Sequence, residues 1–520
     1  MKGVVVCPEP LAALAGAHVF RLGGSAIDAA IATAFAQTVV SPAMTTIAGN
    51  GIMNVFHAPT GRHQLVDFMG YAGARATAEM YERAPAGAQH RGYASVVVPT
   101  LVRGLHTAFA LFGSGRLPWP ALLEPALRFA EDGFPVYPYM HQYWRAENPV
   151  QQTADRFDGH EMLTTTDACA AIFTRGGRVH AIGDRIVQPD LARTLRILAD
   201  DGADAFYTGV IGKRLARDLE SHGAPVTARD LAECRCVVGD PLHGVYRGLT
   251  VSTDPAPHIG ILLVELLHVL DGYDLAALGA GSAPYYELMA RALARVFRDR
   301  ARLMADPTAV DLPATMTDRQ YAAELRARID EERAATPLPG TTQVSALDAD
   351  GSAVSFTHSV GTGSGVVTPG LGFMLNNNMM AFDPRPGRGN SIAPGKRPIS
   401  GGGPTLVLAN GQVRYVLGSP HGGRKISAMG HVLAELVDFG HSPAAAVASP
   451  RIHCEGDLID VRIEPFFPIP ADVRVALAAR GLGLREDLYG GRVCLIAVDP
   501  ATGRAAGASD PRGDGGLAEV

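Results

Sequence analysis

Apolar and polar positions change their period several times along this chain. Near the amino terminus, Met1-Lys2-Gly3-Val4-Val5-Val6-Cys7 is an apolar, strand-like run that Pro8 and Pro10 stop at once. Residues 11–40 read as helical with one break. There, Gly23-Gly24-Ser25-Ala26-Ile27-Asp28 supplies a turn and the caps of an Ala-rich helix running from Ala26 to about Ala36. The glycine-bearing turn Thr45–Gly51 precedes a strand at Ile52–His57, and Pro59-Thr60-Gly61 returns the chain into a second strand at Gln64–Phe68. Apolar residues three and four apart predict helices within 100–135 and 186–235, and another from Tyr285 to about Met304.

Past Leu303 the character changes. Asp330–Arg333 is charged, and Ala334-Ala335-Thr336-Pro337-Leu338-Pro339-Gly340 is a segment whose prolines stop any helix. Beyond it the period is two: Val344, Ala346, Ala353, Phe356 and Val360 stand among polar residues around the turn Asp348-Ala349-Asp350-Gly351. Glycine then becomes dense between Gly361 and Gly403. Helices early, with strands on both sides of them, predict a layered α/β sandwich forming one body.

Composition narrows the class. The 520 residues are 47% hydrophobic and 19% charged, enough for a large core. A net charge of −6 with no dense basic run argues against nucleic acid or an anionic membrane surface as partner. No stretch of eighteen uninterrupted apolar residues exists, so no membrane span is expected. The initial apolar run is too short for a secretory signal, which makes a cytoplasmic location the expectation. The six cysteines are scattered, and the one close pair, Cys234 and Cys236, falls short of a four-ligand zinc site. Neither a metal nor a cofactor is expected.

The chemistry centres on Gly340-Thr341-Thr342. A linker ending in glycine, followed by threonine and a strand, is what self-cleavage requires. Gly340 lets the Thr341 hydroxyl approach the preceding carbonyl, and the freed α-amine, with an unperturbed pKa near ~7.7–8.0, then serves as the nucleophile's base. Taken alone, the same residues also fit an ordinary loop-to-strand junction.

The wider series of motifs decides between these. Gly23-Gly24-Ser25-Ala26-Ile27-Asp28-Ala29-Ala30, Phe206-Tyr207-Thr208-Gly209, Thr227-Ala228-Arg229-Asp230-Leu231, and Arg298-Asp299-Arg300 with Asp306-Pro307 come first. Thr341-Thr342 with Ser345, Asp348 and Gly351 follows, then Leu375-Asn376-Asn377, Lys396-Arg397-Pro398-Ile399-Ser400, Gly418-Ser419-Pro420 and Gly507-Ala508-Ser509-Asp510-Pro511-Arg512. In this order the chain resembles the γ-glutamyltranspeptidases over nearly its whole length. The resemblance implies a four-layer αββα N-terminal-nucleophile (Ntn) hydrolase sandwich, cleaved into a large subunit (1–340) and a small subunit (341–520) that form a heterodimer. It also implies Thr341 as nucleophile, Thr357 at the processing site and Ser359 as its hydrogen-bonding neighbour. Gly422, with Gly423 or His421, falls at the oxyanion hole. His421 is open to two readings, an extra acid/base or a plain loop histidine.

Departures from the family pattern fall on substrate recognition. Met69 stands where glutamate-binding relatives clamp the α-carboxylate with arginine, and a thioether cannot replace that fork. Asn378, Ala381 and Gly361 replace the partners of the α-amine, and of two assisting serines Ser400 remains while the other is Gly401. Arg75 reads either as a surface residue, the favoured reading, or as a remote substitute for the missing cation, and Met69, Met379 and Met380 read either as an adaptable wall or as core. The short segment from Phe382 to Lys396 implies a more open site than that of relatives with a lid loop. With no cation in the pocket, a less charged acyl group is expected to fit better. The substrate is then a small molecule bearing another acyl or keto group, amino-acid-derived as in natural-product intermediates, with carbon–carbon bond hydrolysis included. An ordinary γ-glutamyl transferase or glutathione hydrolase is the first alternative, and an unprocessed, silent binding protein the second.

Overall fold

The valine run at the amino terminus is apolar on both faces because both faces are covered. In the computed structural model, which describes residues 2–145, 159–311, 314–329, 341–487 and 491–520, Gly3–Cys7 is a fully buried strand. It lies between Gly516–Glu519 and Thr342–Asp348 in a seven-stranded sheet. The order continues through Ala353–Ser359, Asn50–His57 and Arg62–Phe68 to Val237–Gly239. A six-stranded sheet packs on it, in the order Ala505–Ser509, Cys494–Val498, Gln412–Gly418, Thr405–Ala409, Leu249–Thr253, Leu242–Tyr246. Between the sheets lies a thin apolar layer that includes Val4, Val6, Leu347, Leu406, Val416 and Ile496.

Helices cover the two outer faces. Pro10–Arg21, Ala26–Val40, Leu101–Phe112 and Trp119–Asp132 share one core with the first sheet. Gly260–Leu270, Ala283–Leu303 and Arg424–Val437 share another with the second. The architecture is the αββα sandwich that the motifs implied. The helix starting at Ala26 runs to Val40, beyond the expected Ala36, and all its residues are buried. No helix among the described residues is long and apolar enough to cross a membrane.

The period-2 segment has a different meaning from the usual one. Thr342–Asp348 and Ala353–Ser359 are buried on both faces. Their polar residues are buried on one face or the other: Ser345 Oγ donates to the Cys494 carbonyl at 3.0 Å and Ser355 Oγ to that of Leu417 at 2.8 Å toward the second sheet, while Thr342 and His358 meet Gln37 on the helix side. Buried hydroxyls are tolerated here because each reaches a partner. The linker 330–340, Gly340 included, lies outside the described residues.

Candidate active site

Two neighbouring strands bring the candidate hydroxyls together. Thr341 directly precedes the strand Thr342–Asp348, and the antiparallel register pairs Gln343 with Thr357 and Thr342 with His358. Thr341 is 3% exposed and opens onto a cleft that Thr357, Ser359 and Gly422 also line. Met69, Gly361, Asn378, Ala381 and Ser400 line the same cleft. Residues separated by more than 350 positions in sequence thus share one small space.

Each has an identifiable support. Thr357 Oγ1 donates to Gln343 Oε1 at 2.7 Å. Ser359 Oγ accepts the Gly361 amide at 2.8 Å. Gly361 has φ +79°, and a side chain there would run into the amide oxygens of Asn377 and Asn378. Glycine alone suits that position. The Ser400 hydroxyl accepts the Gly402 amide at 3.1 Å, and Ser400 N donates to the Pro257 carbonyl at 3.0 Å.

Three candidates sit elsewhere. Gly423 is the residue before the helix Arg424–Val437 and backs onto Phe297, outside the cleft lining. Met379 is wholly buried in a satellite core with Val97, Phe382 and Ile392, so only Met69 and Met380 contribute thioethers to the cleft wall. Arg75 is exposed and does not line the cleft. His421 is buried with Nε2 at 2.7 Å from the Tyr139 hydroxyl, and burial together with Arg492, Arg424 and Lys425 pushes its pKa well below the ordinary value. It is therefore neutral.

A charged network fixes the wall at Met69. Asp67 Oδ1 accepts the Met69 amide at 2.9 Å, and Oδ2 meets His258 Nε2 at 2.9 Å and Arg397 at 2.7 Å. Arg397 also holds Asp306 at 3.1 Å. Burial raises the Asp67 pKa, but His258 and Arg397 outweigh it and the net shift is downward. Burial lowers that of His258, yet Asp67 reverses the direction and the net shift is upward. Both shifts favour a charged pair.

The sequence reading missed three groups. His358 lines the cleft between Thr45 Oγ1 (2.8 Å) and Gln37 Oε1 (2.7 Å), and burial pushes its pKa down to about 3, so it is neutral. Asn50 also lines it, with a buried side-chain nitrogen that has no hydrogen-bond partner among the described residues. Its signal was a polar residue within an otherwise small, glycine-bearing turn. Lys425 lies behind Gly401 and Gly402, donating to both carbonyls, the latter at 2.8 Å. Lys425 is fully buried and is not among the residues lining the cleft; it sits in the first turn of a helix and carried no motif. Among the described residues no group of acidic, His or Cys side chains could hold a metal ion.

The γ-glutamyltranspeptidase family model matches residues 12–520. The chain belongs to the γ-glutamyltranspeptidase family. It is 36% identical to the acylase ACY 1 proenzyme of Pseudomonas sp. (strain SE83), over 99% of this chain and 93% of that one. The glutathione hydrolase proenzyme of Escherichia coli (strain K12) is 30% identical over 98% and 90% of the two chains. The crystal structure of cephalosporin acylase from Bacillus halodurans matches with a TM-score of 0.88 and 31% identity, covering 99% of this chain and 95% of its own. As a γ-glutamyltranspeptidase-family member the protein is an enzyme of the Ntn-hydrolase type with acylases among its relatives.

Many of the family motifs prove to be structural fastenings. Ser25 with Asp28, and Thr227 with Asp230, are complete capping boxes. Asn376 ties Val97 to Ala48 through three hydrogen bonds. Arg512 pairs with Glu464 and Asp510.

Proposed function

We propose that this enzyme is a self-processing N-terminal-threonine acylase whose substrate carries an uncharged or weakly charged acyl group in place of γ-glutamate. The observation that carries it is the composition of one cleft: Thr341 and Gly422 face a wall made by Met69, Met380, Ile399 and Ala381. The family relatives named acylases favour the same reading.

The reaction runs as follows. Cleavage between Gly340 and Thr341 frees the Thr341 α-amine, which takes the proton of its own hydroxyl as Oγ1 attacks the substrate carbonyl. The developing oxyanion lies toward Gly422. There φ changes from +52° at Gly422 to −61° at Gly423, an alternation of hand that turns successive amides to one side. The α-ammonium returns the proton to the leaving amine, the carbonyl–nitrogen bond breaks, and an acyl ester remains on Thr341. Water, deprotonated by the same amine, then releases the acid. The same attack serves a keto substrate: the carbon–carbon bond breaks, a stabilised carbanion leaves and takes the proton from the α-ammonium, and the acyl ester on Thr341 is hydrolysed as before.

Two measurements test this. The protein should separate on a denaturing gel into residues 1–340 and 341–520, with Thr341→Ala remaining whole; a small piece beginning at Thr342 would refute the assigned nucleophile. Each charge-assisted hydrogen bond missing around a glutamyl group removes roughly 1.5–3 kcal/mol, so two imply about 10²- to 10⁴-fold weaker recognition. Butyryl-p-nitroanilide should therefore be turned over better than γ-glutamyl-p-nitroanilide, with Met69→Arg/Ala381→Asp shifting the preference toward the latter. A wild-type kcat/KM for the γ-glutamyl compound near ~10⁴ M⁻¹s⁻¹ or above would restore the glutathione-hydrolase alternative.

A further inference from the structure

Buried lysines are costly unless something uses or balances the charge. Lys425 is completely buried in the first turn of Arg424–Val437, where the helix dipole also disfavours a cation. Among the described residues no carboxylate forms an ion pair with it. The carbonyls of Gly401 and Gly402 take two of its three donors.

The third donor has a direction in which to act. Gly401 has an ordinary negative-φ backbone and no side chain, and three atoms surround the point where its Cβ would stand. They are the Gly422 Cα at 3.5 Å, the Lys425 Nζ at 3.8 Å and the Thr341 Oγ1 at 3.9 Å. The missing side chain thus leaves a gap whose rim is the nucleophile, the Gly422 turn and an ammonium. The segment carrying Gly401 is held on both flanks, by Ser400 N on the Pro257 carbonyl and by Gly403 N on Asp254 Oδ2 at 2.7 Å.

We propose that Lys425 is the cationic part of the oxyanion site, facing the negative charge that develops beside Thr341 across the space left by Gly401. The inference rests on Thr341 being the nucleophile. Lys425 Nζ and Thr341 Oγ1 lie 3.8 and 3.9 Å from the same point, and across a buried gap of that kind a unit charge acts far more strongly than it would in water. It serves both events at Thr341, because self-cleavage and substrate attack each make an oxyanion next to the same hydroxyl. It also places a cation behind a cleft that lacks the arginine at position 69: the charge acts on the reacting carbonyl, not on a substrate carboxylate.

Lys425 faces two ionisable groups. Asp254 favours its charged form, and His421 is neutral. Burial pushes the lysine down to about 7 against the pull of Asp254, so the useful charge is present below neutrality and declines above it. The free Thr341 α-amine must be unprotonated, which gives the acid side of the profile.

The test compares Gly401→Ala, Lys425→Met and the double variant with wild type. The alanine methyl has no neighbour closer than 3.5 Å, so Gly401→Ala fills the gap without disturbing the fold, which thermal melting checks. Self-cleavage rate of freshly translated chain and kcat for butyryl-p-nitroanilide are both read between pH 5 and 9. Each single variant should lower both rates by about 10²-fold with little change in KM, and the double variant should be no slower than Lys425→Met. The alkaline fall in wild-type kcat should vanish in Lys425→Met. Rates within twofold of wild type in Gly401→Ala, losses that multiply in the double variant, or an unchanged alkaline limb would each overturn the role of Lys425. If Lys425→Met fails to fold, the Gly401→Ala rates and pH profile decide. A wild type that does not cleave at Thr341 would instead refute the nucleophile.

Discussion

At the residue scale, the cleft is arranged by charges that never enter it. Asp67 sets the Met69 backbone, and its pairing with His258 and Arg397 makes that wall sensitive to pH. His258 has its pKa raised above the ordinary 6.5, so its contribution to stability is complete below that value and is lost as pH rises through the folded pKa. Asp67 is shifted below the ordinary 3.8, so its contribution is complete above that value and is lost as pH falls through the folded one. The pair stabilises most between those limits. The melting temperature of wild type relative to His258→Gln should therefore be highest near pH 5–6 and shrink toward pH 9. A difference independent of pH would mean that the imidazole is not charged. The role proposed for Lys425 has the opposite linkage, since a depressed lysine costs stability as long as the unfolded chain binds the extra proton.

At the element scale, the helix Ala26–Val40 shows how a motif residue acts at a distance. Its amino terminus is closed by Ser25 and Asp28, and also by Asp348, whose Oδ2 accepts the Ala26 amide at 2.9 Å. Asp348 ends the strand that begins beside Thr341, and its Oδ1 accepts the amides of Asp350 at 3.1 Å and Ser352 at 2.9 Å in the following turn. One carboxylate thus fastens the strand, its hairpin and the helix above. Asp348→Ala leaves the partly buried amides of Ala26 and Ser352 without their acceptor, at about 1–3 kcal/mol for a buried one. Differential scanning fluorimetry should show a melting temperature lower by a few degrees. An unchanged value would show that water replaces the carboxylate.

At the scale of the whole molecule, cleavage at Thr341 would cut the chain without dividing the fold. Gly3–Cys7 lies between two strands from beyond residue 341, and Asn50–His57 pairs with Ala353–Ser359. The layer between the sheets mixes Val4 and Val6 with Leu347, Val416 and Ile496. Separating the pieces would expose that layer and break four strand pairings, the fourth being Leu249–Thr253 with Thr405–Ala409. Processed protein should therefore elute as one species in size-exclusion chromatography, containing both pieces until denaturant is added. Free small subunit in native buffer would contradict this.

The amino-acid sequence alone determined several helical and strand segments, mainly of the first sheet and its helices, because their periodicity and caps are local, and it determined the family, because many short motifs recur in one order. The strands of the second sheet and the helices Gly260–Leu270 and Arg424–Val437 went unread. Its weak points were those where a neighbour in space supplies the meaning. The alternation in Thr342–Ser359 marked a partner sheet, since Ser345 and Ser355 find carbonyls there. Met379 and Met380, adjacent on the turn Asn378–Ala381, divided between core and cleft wall. Lys425 was invisible as a site residue for the same reason. Only the folded chain brings it behind Gly401, where the absence of one side chain lets a buried ammonium stand within reach of Thr341.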